Sequence, residues 1–196
     1  MAKIITVAHQ KGGVGKSTLA LNLAYRFGKN VRTALTDTDP QGSTMQLQSI
    51  VQGIDIIPFD DTTFKGNYDI FFVDTPPYIM NTMMAIFLQS DLVLIPTKAG
   101  VPDIMAIRET VGLVRQAQTE KPELKAGIVL NMVKPRANIT EQAREQLKEY
   151  GLPILAEVGD RVSYTNTFLT GGVDSGNDET AKREIDKLVN EILGLL

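Results

Sequence analysis

The residues with the plainest chemical purpose lie near the N-terminus, in His9-Gln10-Lys11-Gly12-Gly13-Val14-Gly15-Lys16-Ser17-Thr18. They separate an apolar run, Ile4-Ile5-Thr6-Val7-Ala8, from an amphipathic segment that opens at Ser17. A glycine-rich turn between a strand and a helix N-terminus aims several backbone N–H groups and the positive end of a helix dipole at one point, which is what a polyphosphate requires. In the ordinary phosphate-binding loop, G-x-x-x-x-G-K-S/T, the lysine reaches the β- and γ-phosphates and the hydroxyl residue binds Mg²⁺. Gly15, Lys16 and Ser17 fit that pattern, whereas Gln10 stands where the first glycine belongs. A second lysine, Lys11, comes directly before Gly12 and Gly13. The candidate phosphate-binding residues are therefore Gly12, Gly13, Val14, Gly15, Lys16, Ser17 and Thr18.

Three further stretches end apolar runs in polar side chains. Leu35-Thr36-Asp37-Thr38-Asp39-Pro40-Gln41-Gly42 closes one and Ile70-Phe71-Phe72-Val73-Asp74-Thr75-Pro76-Pro77 another. Ligands of open α/β sheets gather at the carboxyl ends of the strands, so these acids are expected on the same rim as the glycine loop. A carboxylate in such a place holds Mg²⁺ or its water. Ile128-Val129-Leu130-Asn131 ends a third run, and an asparagine, both donor and acceptor, suits an adenine edge. By residue type alone, Asp39-Pro40 also suits a turn with Asp37 as its cap, Asp74 a helix N-cap, and Asn131 a turn.

The K-G-G-V-G-K-S form resembles the deviant Walker A motif of the ParA/MinD family of dimeric ATPases. Asp37 to Gly42, D-x-D-P-Q-G, is similar to the switch I motif of its ParA branch, and the apolar strand followed by D-T-P-P is similar to its Walker B motif. The resemblance implies a cofactor pair of ATP and Mg²⁺, with Ser17, Asp37 and Asp74 near the metal and Asn131 at the adenine. It implies that Lys11 crosses a dimer interface to the partner's nucleotide and that Asp39 positions or activates the attacking water. Lys11, Lys16 and Asp39 are thus the expected catalytic residues. Arg161 to Gly172 resembles a late family segment that closes over the base and carries basic residues used for DNA. Lys134, Arg136, Arg161 and Lys182 are the expected DNA-contacting cations.

The function so implied is that of a partition ATPase. ATP joins two subunits, the dimer binds DNA nonspecifically, and a centromere-binding, ParB-like partner stimulates a weak hydrolysis. The alternative is the same switch positioning a protein cargo on the nucleoid. A biosynthetic enzyme of the dethiobiotin synthetase type would share the fold, but Lys11 and the D-P-Q-G segment argue against it. Length and the D-P-Q-G form resemble the small plasmid-encoded ParA subtype. With the first strand starting at Lys3, no helix-turn-helix domain and no specific operator binding are expected.

The elements that must position these residues follow from periodicity. Apolar runs at Lys3–Ala8, Thr33–Thr36, Ile54–Phe59, Asp69–Val73, Asp91–Ile95, Gly127–Met132 and Pro153–Ala156 read as strands. Several are apolar throughout, as in parallel strands covered on both faces. The predicted fold is a doubly wound, mostly parallel α/β sheet with helices on both faces. Leu19, Leu23 and Phe27 form the stripe of the first helix, which Gly28 is expected to stop; a short helix is expected over 42–51. Pro102 and Asp103 open a long helix that relatives place close to the dimer interface, and Asn81–Gln89 reads as a Met-rich core helix. The last helix, about Glu179 to Leu195, presents Ile185, Leu188, Val189, Ile192 and Leu193 on one face.

A chain of 196 residues, 43% hydrophobic, is expected to form one domain over residues 1–196. A net charge of −3 means that DNA contact must be a local patch or a dimer property. The lack of cysteine excludes disulfides, thiolate metal sites and iron–sulfur clusters. With no apolar run near the roughly 18 residues of a membrane span and no signal peptide, a cytoplasmic location is expected, nucleoid-associated by resemblance. The final nine residues lack lysine and arginine, so the last helix is expected to pack rather than to bind anionic lipid.

Overall fold

The computed structural model describes residues 2–39, 51, 53–60, 62–78, 82–134 and 138–196, the side chains of 138, 168 and 169 excepted. Pro40, Gln41, Gly42, Arg136, the start of the expected helix at Asn81 and nearly all of the helix expected over 42–51 lie outside those residues.

All seven expected runs are strands: β1 (Lys3–Val7), β2 (Thr33–Asp37), β3 (Asp55–Pro58), β4 (Ile70–Asp74), β5 (Leu92–Thr97), β6 (Lys125–Val133) and β7 (Ile154–Gly159). They form one sheet in the order β3-β2-β4-β1-β5-β6-β7, and every pairing is parallel. β1 lies in the middle; β2 and β3 lie outward on one side with β4 inserted between β2 and β1, β5 to β7 follow outward on the other, and every strand's carboxyl end faces the same rim.

The uniformly apolar runs are explained by two cores. In β5 every residue is buried, with Leu92 and Leu94 facing one core and Val93 and Ile95 the other. The first core is closed by α1 (Lys16–Gly28), α5 (Val162–Thr170) and α6 (Glu179–Leu195). The second is closed by α2 (Met83–Gln89), α3 (Val101–Glu120) and α4 (Asn138–Lys148). Met83 is buried in it, so the Met-rich helix packs into the core, as expected.

Gly28 does not act as a left-handed stop. It lies in the last turn of α1, and the following Lys29 keeps helical angles (φ −67°). A Cβ there would come 2.6 Å from Ile54 Cγ2 and 3.0 Å from the Gly53 carbonyl oxygen, so the glycine serves the close approach of the loop before β3. The side chain of Asp178 caps α6 by accepting from the Thr180 and Ala181 N–H groups. Ile185, Leu188, Val189 and Ile192 are buried, each contributing about 1.5–3 kcal/mol. The terminal helix is thus packed, and among the described residues no helix is long and apolar enough to cross a membrane.

Candidate functional site

The glycine loop turns from β1 into α1 with Gly13 and Gly15 in the left-handed region, at φ +70° and +88°. Glycine reaches that region without the steric cost of a Cβ. At Gly15 space is also decisive: an added Cβ would lie 2.3 Å from Asn131 Nδ2. Asn131, at the end of β6, donates from that nitrogen to the Val14 carbonyl at 2.8 Å, so part of its hydrogen-bonding capacity holds the loop. No side chain caps the start of α1, which leaves its first N–H groups directed at the loop.

Register brings the acids beside the loop. Asp37 and Asp74 are partners across β2 and β4, and Val7 pairs with Asp74 on the other side. The Asp39 N–H donates to Asp37 Oδ1 at 2.9 Å, Thr38 donates to the Asp74 carbonyl, and the Thr75 hydroxyl donates to the Val7 carbonyl. Together the loop, Asp37, Asp39, Asp74 and Pro76-Pro77 enclose a cavity of about 380 Å³. Lys16 is buried in its floor and donates to the Lys11 carbonyl at 3.3 Å. Burial pulls its ammonium below the ordinary lysine range, while the Asp74 and Asp39 carboxylates push it back.

Lys11 is held within its own subunit. Its ammonium lies 2.9 Å from Asp103 Oδ1 in the first turn of α3, and its N–H donates to His9 Nδ1 at 2.8 Å. Gln10 adds a second tie, donating to the Ala106 carbonyl of α3 at 2.8 Å. His9 is almost wholly buried; burial first, and then the positive charge of Lys16, lowers its pKa to about 4, so the ring is neutral at pH 7. Sequence reading leaves His9 without a role and treats Asp103 as a helix-start residue; spacing carries no signal that either one faces Lys11.

A second cavity, of about 230 Å³, adjoins the first through Thr18. Its wall combines Thr18, Asn131, Met132, the end of β7 and the first turn of α5. Met132 has φ 54°, the one non-glycine residue at positive φ among those described, a conformation costing about 1–3 kcal/mol and concentrated at functional sites. Arg161 lines this cavity and is paired with Glu184, Nη2 to Oε1 at 2.8 Å, a hydrogen bond that raises the guanidinium pKa further. Arg161 is therefore not a free surface cation. Lys182 pairs with Glu179 at 2.8 Å on the surface, and Lys134 is exposed just beyond β6.

The donor set suits a nucleoside triphosphate with a divalent cation. Among the described residues no cluster of three or more His, Cys, Asp or Glu side chains could hold a metal alone. Mg²⁺, however, is held by one or two carboxylates together with substrate phosphates, and Ser17, Asp37 and Asp74 fit that requirement.

Residues 5–171 match the family profile of the CobQ/CobB/MinD/ParA nucleotide binding domain. The chain is 27% identical over 206 residues to maintenance of carboxysome distribution protein A of Halothiobacillus neapolitanus, covering 96% of this chain and 95% of that one. It is 26% identical over 205 residues to chromosome partitioning protein ParA of Myxococcus xanthus, covering 76% and 72%. Its fold superposes with a TM-score of 0.81 on the crystal structure of a plasmid partition protein of Borrelia burgdorferi bound to AMPPNP, at 21% identity and 100% coverage of both chains.

Proposed function

The chain belongs to the CobQ/CobB/MinD/ParA family of nucleotide-binding proteins, and from that premise we propose that it is an ATP-hydrolysing switch that dimerises around ATP and Mg²⁺. As that dimer it binds DNA nonspecifically and segregates or positions a DNA cargo on the nucleoid in the cytoplasm. A centromere-binding, ParB-like partner stimulates its weak hydrolysis, and residues 1–196 act as one domain. The observation that carries this reading is the convergence of the glycine loop, Lys16 and Asp37, Asp39 and Asp74 on one cavity that continues through Thr18 into a second.

In this reading the N–H groups of Gly12 to Thr18 and the α1 terminus bind the phosphates. Lys16 sets its charge against the β- and γ-phosphates, while Ser17, Asp37 and Asp74 hold Mg²⁺. When bound, Mg²⁺ neutralises charge developing on the phosphate oxygens. Asp39 orients the attacking water, Asn131 stands at the base, and Lys11 leaves Asp103 for the partner's nucleotide. Replacing Lys16 by Ala is expected to weaken ATP binding by roughly 10- to 100-fold, the loss of a hydrogen bond to a charged group. Titration of ATP beside thermal unfolding of both proteins tests this; unchanged Mg-ATP affinity and turnover in a folded Lys16→Ala protein would refute the reading.

A specific observation favours a second cargo. The relative matched along 96% of this chain is named for carboxysome distribution, so the same switch positioning a protein assembly is the alternative reading. Both readings use DNA as a track, supplied by Lys134, Arg136 and Lys182, with Arg161 available only if it leaves Glu184. Each phosphate neutralised contributes roughly 0.9 to the log–log salt slope of binding. Lys134→Ala is therefore expected to lower that slope by about 0.9 for every phosphate the lysine neutralises, and to leave ATP binding unchanged. Wild type is expected to bind duplex DNA with Mg-ATP and not with ADP. Binding that ignores salt or nucleotide would remove DNA from the proposal.

A further inference from the structure

Glu184 lies on α6, beyond residue 171 where the family match ends and outside every motif above. Its carboxylate collects donors from three successive pieces of the second cavity's wall. The Gly159 N–H, at the end of β7, donates to Oε2 at 3.0 Å. Arg161 donates from Nη2 to Oε1 at 2.8 Å and from Nε to both oxygens at 3.1 and 3.2 Å. The Tyr164 hydroxyl, in the first turn of α5, lies 3.0 Å from Oε2 and 3.1 Å from the Ala181 carbonyl. Gly159, Arg161 and Tyr164 all line the cavity.

We propose that Glu184 is a positioning residue for the nucleotide base, acting through Gly159, Arg161 and Tyr164; the proposal rests on reading the 230 Å³ cavity as the base site. The first turn of α5 has no side-chain cap of its own, since Arg161 occupies the N-cap position without a capping bond. It is held from α6 instead, by Tyr164 on Glu184 and by the Ser163 hydroxyl on Asp178 at 2.8 Å. Charge-assisted bonds are about twice as strong as neutral ones, and a carboxylate facing the guanidinium fork restricts it to few rotamers. Pairing also neutralises Arg161, so the wall faces the base as a fixed surface rather than as a mobile cation. A Cβ at Gly159 would come 3.0 Å from Arg161 Nε and 3.1 Å from Glu184 Oε1, which shows how closely the arrangement is packed.

Glu184→Gln keeps the side-chain size and one carbonyl acceptor but loses the charge. It is expected to weaken ATP binding about tenfold, consistent with one charge-assisted hydrogen bond, and to leave the affinity for tripolyphosphate, which has no base, unchanged. Glu184→Asp should recover part of the loss, and Tyr164→Phe should show a smaller loss of the same kind, with thermal unfolding followed in each protein. A merely structural Glu184 would lower ATP and tripolyphosphate affinity in parallel, and that result, or no loss at all, overturns the proposal. If wild type binds ATP no more tightly than tripolyphosphate, the base-site reading fails with it; if wild type prefers ATP and Glu184→Gln prefers it by the same factor, Glu184 alone is wrongly assigned. Should Glu184→Gln not fold, the ratio of ATP to tripolyphosphate affinity in Tyr164→Phe decides.

Discussion

Mixing Lys11→Ala subunits with Lys16→Ala subunits is expected to restore ATP hydrolysis that neither variant shows alone. If Lys11 acts across the interface, a mixed dimer has one complete site: the Lys11→Ala subunit supplies Lys16, and its partner supplies Lys11. If Lys11 acts within its own subunit, neither site of the mixed dimer is complete. In the structure Lys11 rests on Asp103 at 2.9 Å, with the lysine side chain 37% exposed. Asp103 is only 13% exposed, so the pair is partly buried, and crossing requires Lys11 to leave that carboxylate. A cation delivered to the transition-state charge is worth about 10³–10⁵ in rate in arginine-finger systems, or roughly 4–7 kcal/mol. The lower end is expected here, because the hydrolysis proposed above is weak until a partner stimulates it. Heterodimers verified by co-purification through a different tag on each subunit that regain no activity would count against the crossing.

Asp39→Ala is expected to separate binding from hydrolysis. Asp39 is half-buried in the wall of the phosphate cavity, while its neighbours Asp37 and Asp74 are buried and paired in register. That division suits Asp37 and Asp74 to Mg²⁺ and leaves Asp39 to the water. Proton transfer by a placed side chain contributes about 10²–10⁴ in rate, so turnover should fall by that factor. ATP affinity should survive, and the ATP-bound dimer should accumulate, which size measurement with Mg-ATP reads directly. Normal hydrolysis would hand the role to another residue, and loss of ATP binding would move Asp39 to the metal.

Much of this site is legible from the chain alone because its signals are local. The strand-turn-helix around Gly12 to Ser17 is written in neighbouring residues, and the left-handed angles of Gly13 and Gly15 are what its glycines provide. Uniformly apolar runs forecast strands buried on both faces, and acids at their ends fall on the rim because every strand is parallel. What the sequence did not show is who stands opposite each charge. Lys11 and Asp103, and Arg161 and Glu184, owe their meeting to the fold rather than to any motif. Gly28 likewise reads as a helix stop, and only the approach of Gly53 and Ile54 explains it. A sequence displays each charge and each missing side chain, but an ion pair or a close backbone contact exists only once packing has set the distance between two elements. Whether Arg161 is a free cation for DNA or a fixed wall of a cavity was therefore decided by where α6 docks against β7.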